Sequence, residues 1–196
     1  MGAVRAVRTI SQDEYLQTER LAPTKSEYLA GQVRAMAGAS QRHNTVTLNI
    51  ASELRQLLRG RDCRAFAIDM RVKVAEAEAY FYPDAVIVCG QPQFEDEQED
   101  TLLNPAVVIE VLSPSTEAFD RGDKFAAYQH IPTLREYLLV AQDRIHVEHF
   151  IRQHGGEWQQ AEYTDLAQKV HLFSVELELP IELIYEGVNL THSKQA

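Results

Sequence analysis

Residues 107–116 read Val-Val-Ile-Glu-Val-Leu-Ser-Pro-Ser-Thr, and residues 134–140 read Leu-Arg-Glu-Tyr-Leu-Leu-Val. Nearly continuous apolar runs of this length belong to strands in the middle of a sheet that is covered on both faces. Between them, Ser115 or Thr116 stands where an N-cap would open a helix reaching about His130. Strand, helix and strand in that order make a right-handed crossover, so the sheet is at least partly parallel. One residue breaks the pattern. A carboxylate at Glu110 inside a doubly covered strand is costly unless a cation meets it. Either an arginine forms a buried ion pair there, or the side chain holds a metal.

Working outward, Tyr80–Cys89 contains a second such run, Ala-Val-Ile-Val-Cys, with Pro83-Asp84 at its mouth. Residues 63–75 alternate Phe66, Ile68, Met70, Val72 and Val74 against Ala67, Asp69, Arg71 and Lys73, the period of one half-buried strand. From Ser40 to about Arg59, Val46, Ile50, Leu54, Leu57 and Leu58 recur at helical spacing, with Gly60 just after the end. Residues 11–20 read as a first helix capped by Ser11, with Glu14 completing a capping box. Residues 26–36 read as a hairpin around Ala30-Gly31, with Glu27 on its first strand, and 145–151 with 157–163 as another around Gly155-Gly156. A short segment at 180–185 closes the chain. The expected class is α/β (α+β), a mixed central sheet flanked by helices, in one domain spanning 1–196 with its core at about 11–186.

The bulk numbers narrow the function. A length of 196 residues and 45% hydrophobic content suit one self-sufficient core. No run approaches the roughly 20 apolar residues of a membrane span, and residues 1–8 lack an apolar signal core, which implies a cytoplasmic protein. In a reducing compartment Cys63 and Cys89 are expected as two buried thiols, although they could pair. The formal charge of -10 argues against tight nonspecific binding to phosphate chains. Part of it is local, because Glu95, Asp96, Glu97, Glu99 and Asp100 crowd one stretch that reads as a solvated loop. A symmetric homodimer is the common assembly for proteins of this kind.

The seven histidines make no HExxH or Cys/His set, and His146 and His149 fall on opposite faces of a strand. His43, at the start of the long helix, is read as a hydrogen-bonding group near the cleft. Ser113 and Ser115 lack a Gly-x-Ser-x-Gly elbow, and helix capping explains them better than nucleophilic catalysis.

Several stretches together carry a resemblance. Glu27-Tyr28-Leu29-Ala30-Gly31-Gln32, Ala37-Gly38-Ala39-Ser40 with His43-Asn44, Tyr80-Phe81-Tyr82-Pro83-Asp84, Ile109 to Thr116 and Asp120 to Tyr128 occur in this order. This ordered set resembles the Uma2 family, also catalogued as DUF820, a branch of the PD-(D/E)xK restriction-endonuclease-like superfamily. The resemblance implies a Mg²⁺ (or Mn²⁺) site with Asp84 and Glu110 as ligands, the carbonyl of Val111 as a third, and a lysine that orients the nucleophile or stabilises charge.

The superfamily's lysine is expected two residues after Glu110, where this chain has Leu112. The resemblance places Lys124 in that role. Spacing alone equally allows Lys124 to form an i, i+4 surface pair with Asp120, and Lys73, sharing a face with Asp69, competes for the part. Glu27 is either an additional acid of the site or an exposed hairpin residue. The implied activity is Mg²⁺-dependent hydrolysis of a phosphodiester, in DNA rather than RNA. The alternatives are a nuclease fold kept as a binding or assembly module, and a hydrolase of another phosphoester.

Overall fold

A computed structural model describes residues 9–190. The reading of residues 1–8 as lacking a signal core lies outside them. The first half runs α1 (Gln12–Glu19), β1 (Ser26–Leu29), β2 (Gln32–Ala35), α2 (Gln41–Leu57), β3 (Cys63–Ala67), β4 (Arg71–Val74), β5 (Ala79–Phe81) and β6 (Ala85–Cys89). It continues through β7 (Thr101–Leu102), β8 (Val107–Leu112), α3 (Glu117–Phe119), a π-helical turn (Asp120–Lys124), α4 (Phe125–Tyr128) and β9 (Glu136–Ala141). Last come β10 (Val147–Arg152), β11 (Trp158–Tyr163), β12 (Lys169–Leu172), a 3₁₀ turn (Phe173–Val175), β13 (Leu177–Pro180) and α5 (Ile181–Ile184).

The central sheet has six strands in the order β11-β10-β9-β8-β6-β3. It is mixed: β8 and β9 run parallel, as the crossover requires, and β6 runs antiparallel to β8. Alternation along β8 divides its side chains between two cores. Ile109 and Val111 meet Val46, Ile50 and Leu54 of α2, together with Ile181 and Ile184 of α5. Val108 and Leu112 face the other way, toward Phe125 and Tyr128 of α4 and toward a five-stranded sheet, β2-β1-β5-β4-β7. Helices thus flank a central mixed sheet, as a restriction-endonuclease-like α/β fold demands.

The helix starts follow their caps. Ser11 accepts from the Glu14 N–H and Ser40 from the His43 N–H. Ala30 and Gly31 both take positive φ in the turn of the β1–β2 hairpin, as a two-residue turn matched to strand twist needs. The capping role read for Ser113 and Ser115 is not met. Thr116 precedes α3 with helical dihedrals and no side-chain cap bond, while the Ser113 carbonyl accepts from the Thr116 and Glu117 N–H groups.

Three local expectations are corrected. Residues 63–75 are two strands in different sheets, because the chain turns at Ile68 with φ 67°. Tyr80–Cys89 breaks likewise across Tyr82-Pro83-Asp84, and the Ile68 N–H donates to the Asp84 carbonyl where the two breaks meet. One long antiparallel ribbon therefore leaves the central sheet for the smaller one at Asp84, a bend that strand periodicity does not reveal. Second, Cys63 and Cys89 are joined in a disulfide rather than standing as separate thiols, since the β3–β6 register sets them directly opposite. Third, the acidic stretch is no plain solvated loop: Arg20 binds Asp96 and Asp100, Arg71 binds Asp100, and Lys73 binds Glu95.

Candidate metal centre

The ribbon's departure creates the site. Strand β6 pairs with β8 as Ala85↔Ile109, Val86↔Val108 and Ile87↔Val107, so its extension would set Asp84 opposite Glu110. With β6 gone beyond Ala85, the end of β8 has lost a neighbour and its backbone needs other partners. Asp84 supplies one, its Oδ2 accepting from the Val111 N–H at 2.7 Å. Gln142 supplies another, donating to the Leu112 carbonyl at 2.8 Å. A cleft of about 1240 Å³ opens here, beyond the carboxyl ends of the parallel strands β8 and β9, where open α/β sheets bind their ligands.

Glu110 projects from β8 toward the helical crossover, with relative exposure of 3%. The Lys124 ammonium, also 3% exposed, lies 2.9 Å from Glu110 Oε1, 2.7 Å from Glu27 Oε1 and 3.5 Å from Asp120 Oδ1. The widened π-helical turn carries both Asp120 and Lys124 and buries them, so the surface-pair reading of these two residues is corrected. Such turns recur at functional sites. Glu27 is buried as well and also accepts the Tyr82 N–H, so it is no exposed hairpin residue. Tyr128, one turn after Lys124, donates to Glu110 Oε1 at 3.3 Å.

Asp84 is served from the other side of the sheet. Thr47 of α2 donates to it at 3.3 Å, and His43 Nε2 stands 3.5 Å from Oδ2. Burial pulls the His43 pKa down, but its hydrogen bond and charge interaction with Asp84, with the Val111 carbonyl acting in the same sense, carry it above the ordinary histidine value.

Three carboxylates, Glu27, Glu110 and Asp120, therefore converge on Lys124, and Asp84 faces the same cleft. Burial pushes the Glu110 pKa well up, and the charges of Asp120, Asp84 and Glu27 add to the shift against the opposing pull of Lys124. Asp120 rises too, chiefly through burial. Burial works to discharge Lys124, but the charges of Glu110, Glu27 and Asp120 outweigh it and raise its pKa well above the ordinary lysine value.

Asp69 and Lys73 do not join this group. Asp69 pairs with Lys25 and is largely exposed, while Lys73 contacts Glu95 at 2.5 Å and stands over the Tyr80 ring; neither lines the cleft. Asp69 lies in the bend before β4 begins at Arg71, so the alternation that would put it on one face with Lys73 does not reach it. The arginine considered for Glu110 is also replaced, the partner being Lys124. Sequence reasoning passed over Thr47 and Tyr128, although each lies four residues beyond a named group, His43 and Lys124, along a helical segment.

The family model described as "Putative restriction endonuclease", Uma2, matches residues 12–183. The chain belongs to the Uma2 family. Two proteins of Synechocystis sp. PCC 6803 are similar to this Uma2 chain over most of both lengths. The protein sll1609 is 39% identical over 81% of the chain and 89% of its own length; slr1290 is 34% identical over 91% and 93%. A crystal structure from Anabaena variabilis, described as a putative nuclease belonging to DUF820, superposes with a TM-score of 0.74. It covers 90% of this chain and 98% of that one at 19% identity, so the Uma2 fold is the shared property. Among the described residues no helix is long and apolar enough to cross a membrane.

Proposed function

We propose that this Uma2 protein is a divalent-metal-dependent phosphodiester hydrolase acting on nucleic acid, DNA before RNA. Asp84 and Glu110 are its metal ligands and Lys124 its charge-stabilising amine. The observation that carries this reading is the buried Lys124–Glu110 contact of 2.9 Å beside Asp84, in a cleft of about 1240 Å³.

The donors suit a hard cation of one kind. Among the described residues no group of three or more His, Cys, Asp or Glu side chains is placed to hold a metal, so a cage made wholly of side chains is not available. Mg²⁺ does not require one. It commonly keeps several waters and takes one or two carboxylates plus phosphate oxygens. Asp84 and Glu110 meet that need, and the surplus of carboxylate over ammonium favours a further positive charge. The Val111 carbonyl, which already acts on His43, is the remaining donor of the strand end. A cation held there would supply Lewis-acid polarisation of the phosphoryl oxygen and lower the pKa of a bound water.

The chain's own groups do the rest. Lys124, its pKa raised by the carboxylates around it, is suited to meet negative charge growing on the phosphoryl group rather than to accept a proton. Glu27 and Asp120 hold its ammonium in place, while His43 and Thr47 fix the Asp84 carboxylate.

The test is cleavage of plasmid and labelled oligonucleotides with Mg²⁺ or Mn²⁺ by wild type, Asp84→Asn and Glu110→Gln. Cleavage by wild type alone supports the assignment, and full metal-dependent cleavage by Asp84→Asn removes it. A binding module without turnover is the second reading, favoured by Leu112 in the superfamily's lysine position and by a Lys124 already engaged by three carboxylates. It predicts metal-independent binding of nucleic acid with no turnover by wild type.

A further inference from the structure

We propose that the exposed face of α2 and the open edge of β3 form a phosphate-binding track for the polynucleotide strand leading away from the carboxylates, with Arg55, Arg59 and Arg64 as its contacts. This rests on the nucleic-acid reading above and adds the path that the substrate takes.

Strand β3 ends the six-stranded sheet, so its outer backbone edge has no neighbouring strand. A groove of about 450 Å³ lies between that edge and α2, lined by Arg55, Arg59 and Arg64. Among the described residues these three guanidinium groups have no ion pair or hydrogen bond, whereas nearby Arg61 donates to the Val175 and Glu176 carbonyls. Three unpaired arginines in one groove stand out in a chain of net charge -10. Their planar forks match the paired oxygens of a phosphate group, as they also match a carboxylate.

The groove continues the cleft. Ala51 and Ala67 line the groove, while Leu48 and Ile68 line the cleft, one helical turn and one residue away respectively. The exposed face of α2 runs Asn44, Leu48, Ser52 and Arg55, steps of four, four and three that keep one stripe, and Arg59 follows just past the helix. At 1.5 Å per residue, Arg42 at the cleft and Arg55 are about 20 Å apart, about six base-pair steps of 3.4 Å. At the seam Leu48 is 67% and Ile68 55% exposed, apolar surfaces for sugar or base faces between charged stations.

A rival explanation is that charges on an edge strand guard it against pairing with another chain. Another is that the groove takes an acidic segment of a second copy, such as residues 95–100.

The experiment measures binding by the full chain of labelled oligonucleotides of about 6 and about 20 nucleotides, in EDTA so that nothing is cut. Wild type is compared with Arg55→Gln/Arg59→Gln/Arg64→Gln and with the triple Lys variant. The Gln variant is expected to bind the long probe at least about ten-fold more weakly and the short probe unchanged. Its slope of log affinity against log salt should flatten by about 2 for single strands and nearly 3 for duplex. The Lys variant keeps most of the affinity.

Equal long-probe affinity in wild type and Gln variant overturns the track, whether or not that variant aggregates, and so does a wild type that binds neither probe. A Gln variant that changes only oligomeric mass, by light scattering, also overturns it in favour of the second copy. Failure of the catalytic reading looks different: wild type that binds the long probe through the arginines but never cuts it in Mg²⁺ leaves the track standing.

Discussion

Lys124 and Glu110 form a salt bridge of 2.9 Å with both side chains withdrawn from water. Two variants separate what this pair does for stability from what it does for chemistry. Lys124→Gln leaves Glu27, Glu110 and Asp120 buried without their cation, which should cost about 3–5 kcal/mol. Glu110→Gln removes the carboxylate that burial penalises most and leaves Lys124 two others, so stability should stay within about 1 kcal/mol. Urea denaturation checks both. A Glu110→Gln protein as unstable as Lys124→Gln would make the pair a structural bridge.

The Cys63–Cys89 disulfide closes a sequence separation of 26 residues and ties the edge strand β3 to β6 at the end of their ladder remote from the bend at Asp84. Constraining an unfolded loop of that length is worth about 3 kcal/mol. Cys63→Ser/Cys89→Ser, or wild type in reductant, should show that loss in denaturation midpoints. Identical midpoints with and without reductant would mean the link does not form in solution.

Acid stability should depend on Arg20, whose hydrogen bonds hold the Asp100 and Asp96 carboxyls below the ordinary 3.8. Because these folded values are depressed, their stabilisation is complete above the ordinary value and drains away as pH falls below it. Between about pH 4 and pH 2, wild-type stability should therefore fall more steeply than that of Arg20→Gln, which has already lost the contribution at neutral pH. Circular dichroism across urea titrations at successive pH values measures both slopes, and parallel curves would refute the clamp.

Much of the frame was legible because it is local. The two apolar runs around the crossover, the Ser40 cap, the Ala30-Gly31 turn and the misfit of Glu110 all show in short windows of sequence. What stayed hidden is non-local. The alternation Phe66, Ile68, Met70, Val72 runs unbroken through a change of sheet, and Ile68, apolar by type, ends up exposed. Charged residues are assigned to the surface by default, so Arg71 looked exposed, and Asp120 and Glu27 each kept a surface reading open, until tertiary partners buried them. The cysteine pairing depended on a register that neither strand specifies alone. The carboxylate cluster itself draws on a hairpin, a sheet crossing, a central strand and a π-helical turn, and no spacing rule links those four.

The hairpin turn gives a last prediction, connecting backbone geometry to the site. Gly31 has φ 88°, and a Cβ there would come 2.9 Å from the Thr9 Cβ, so Gly31→Ala meets both strain and a clash. Gly60 has a similar φ of 80° with nothing within 4 Å of its Cβ position, which makes Gly60→Ala a control for the backbone term alone. Gly60→Ala should cost about 1 kcal/mol and Gly31→Ala measurably more. Only Gly31→Ala should also disturb the site, because its turn sets the pairing of Glu27 with Arg34 and so the height at which Glu27 reaches Lys124. Thermal melts give the first comparison, and calorimetric titration with Mn²⁺ gives the second. Equal melting temperatures with equal Mn²⁺ affinities would show that the hairpin register does not govern where Glu27 lies.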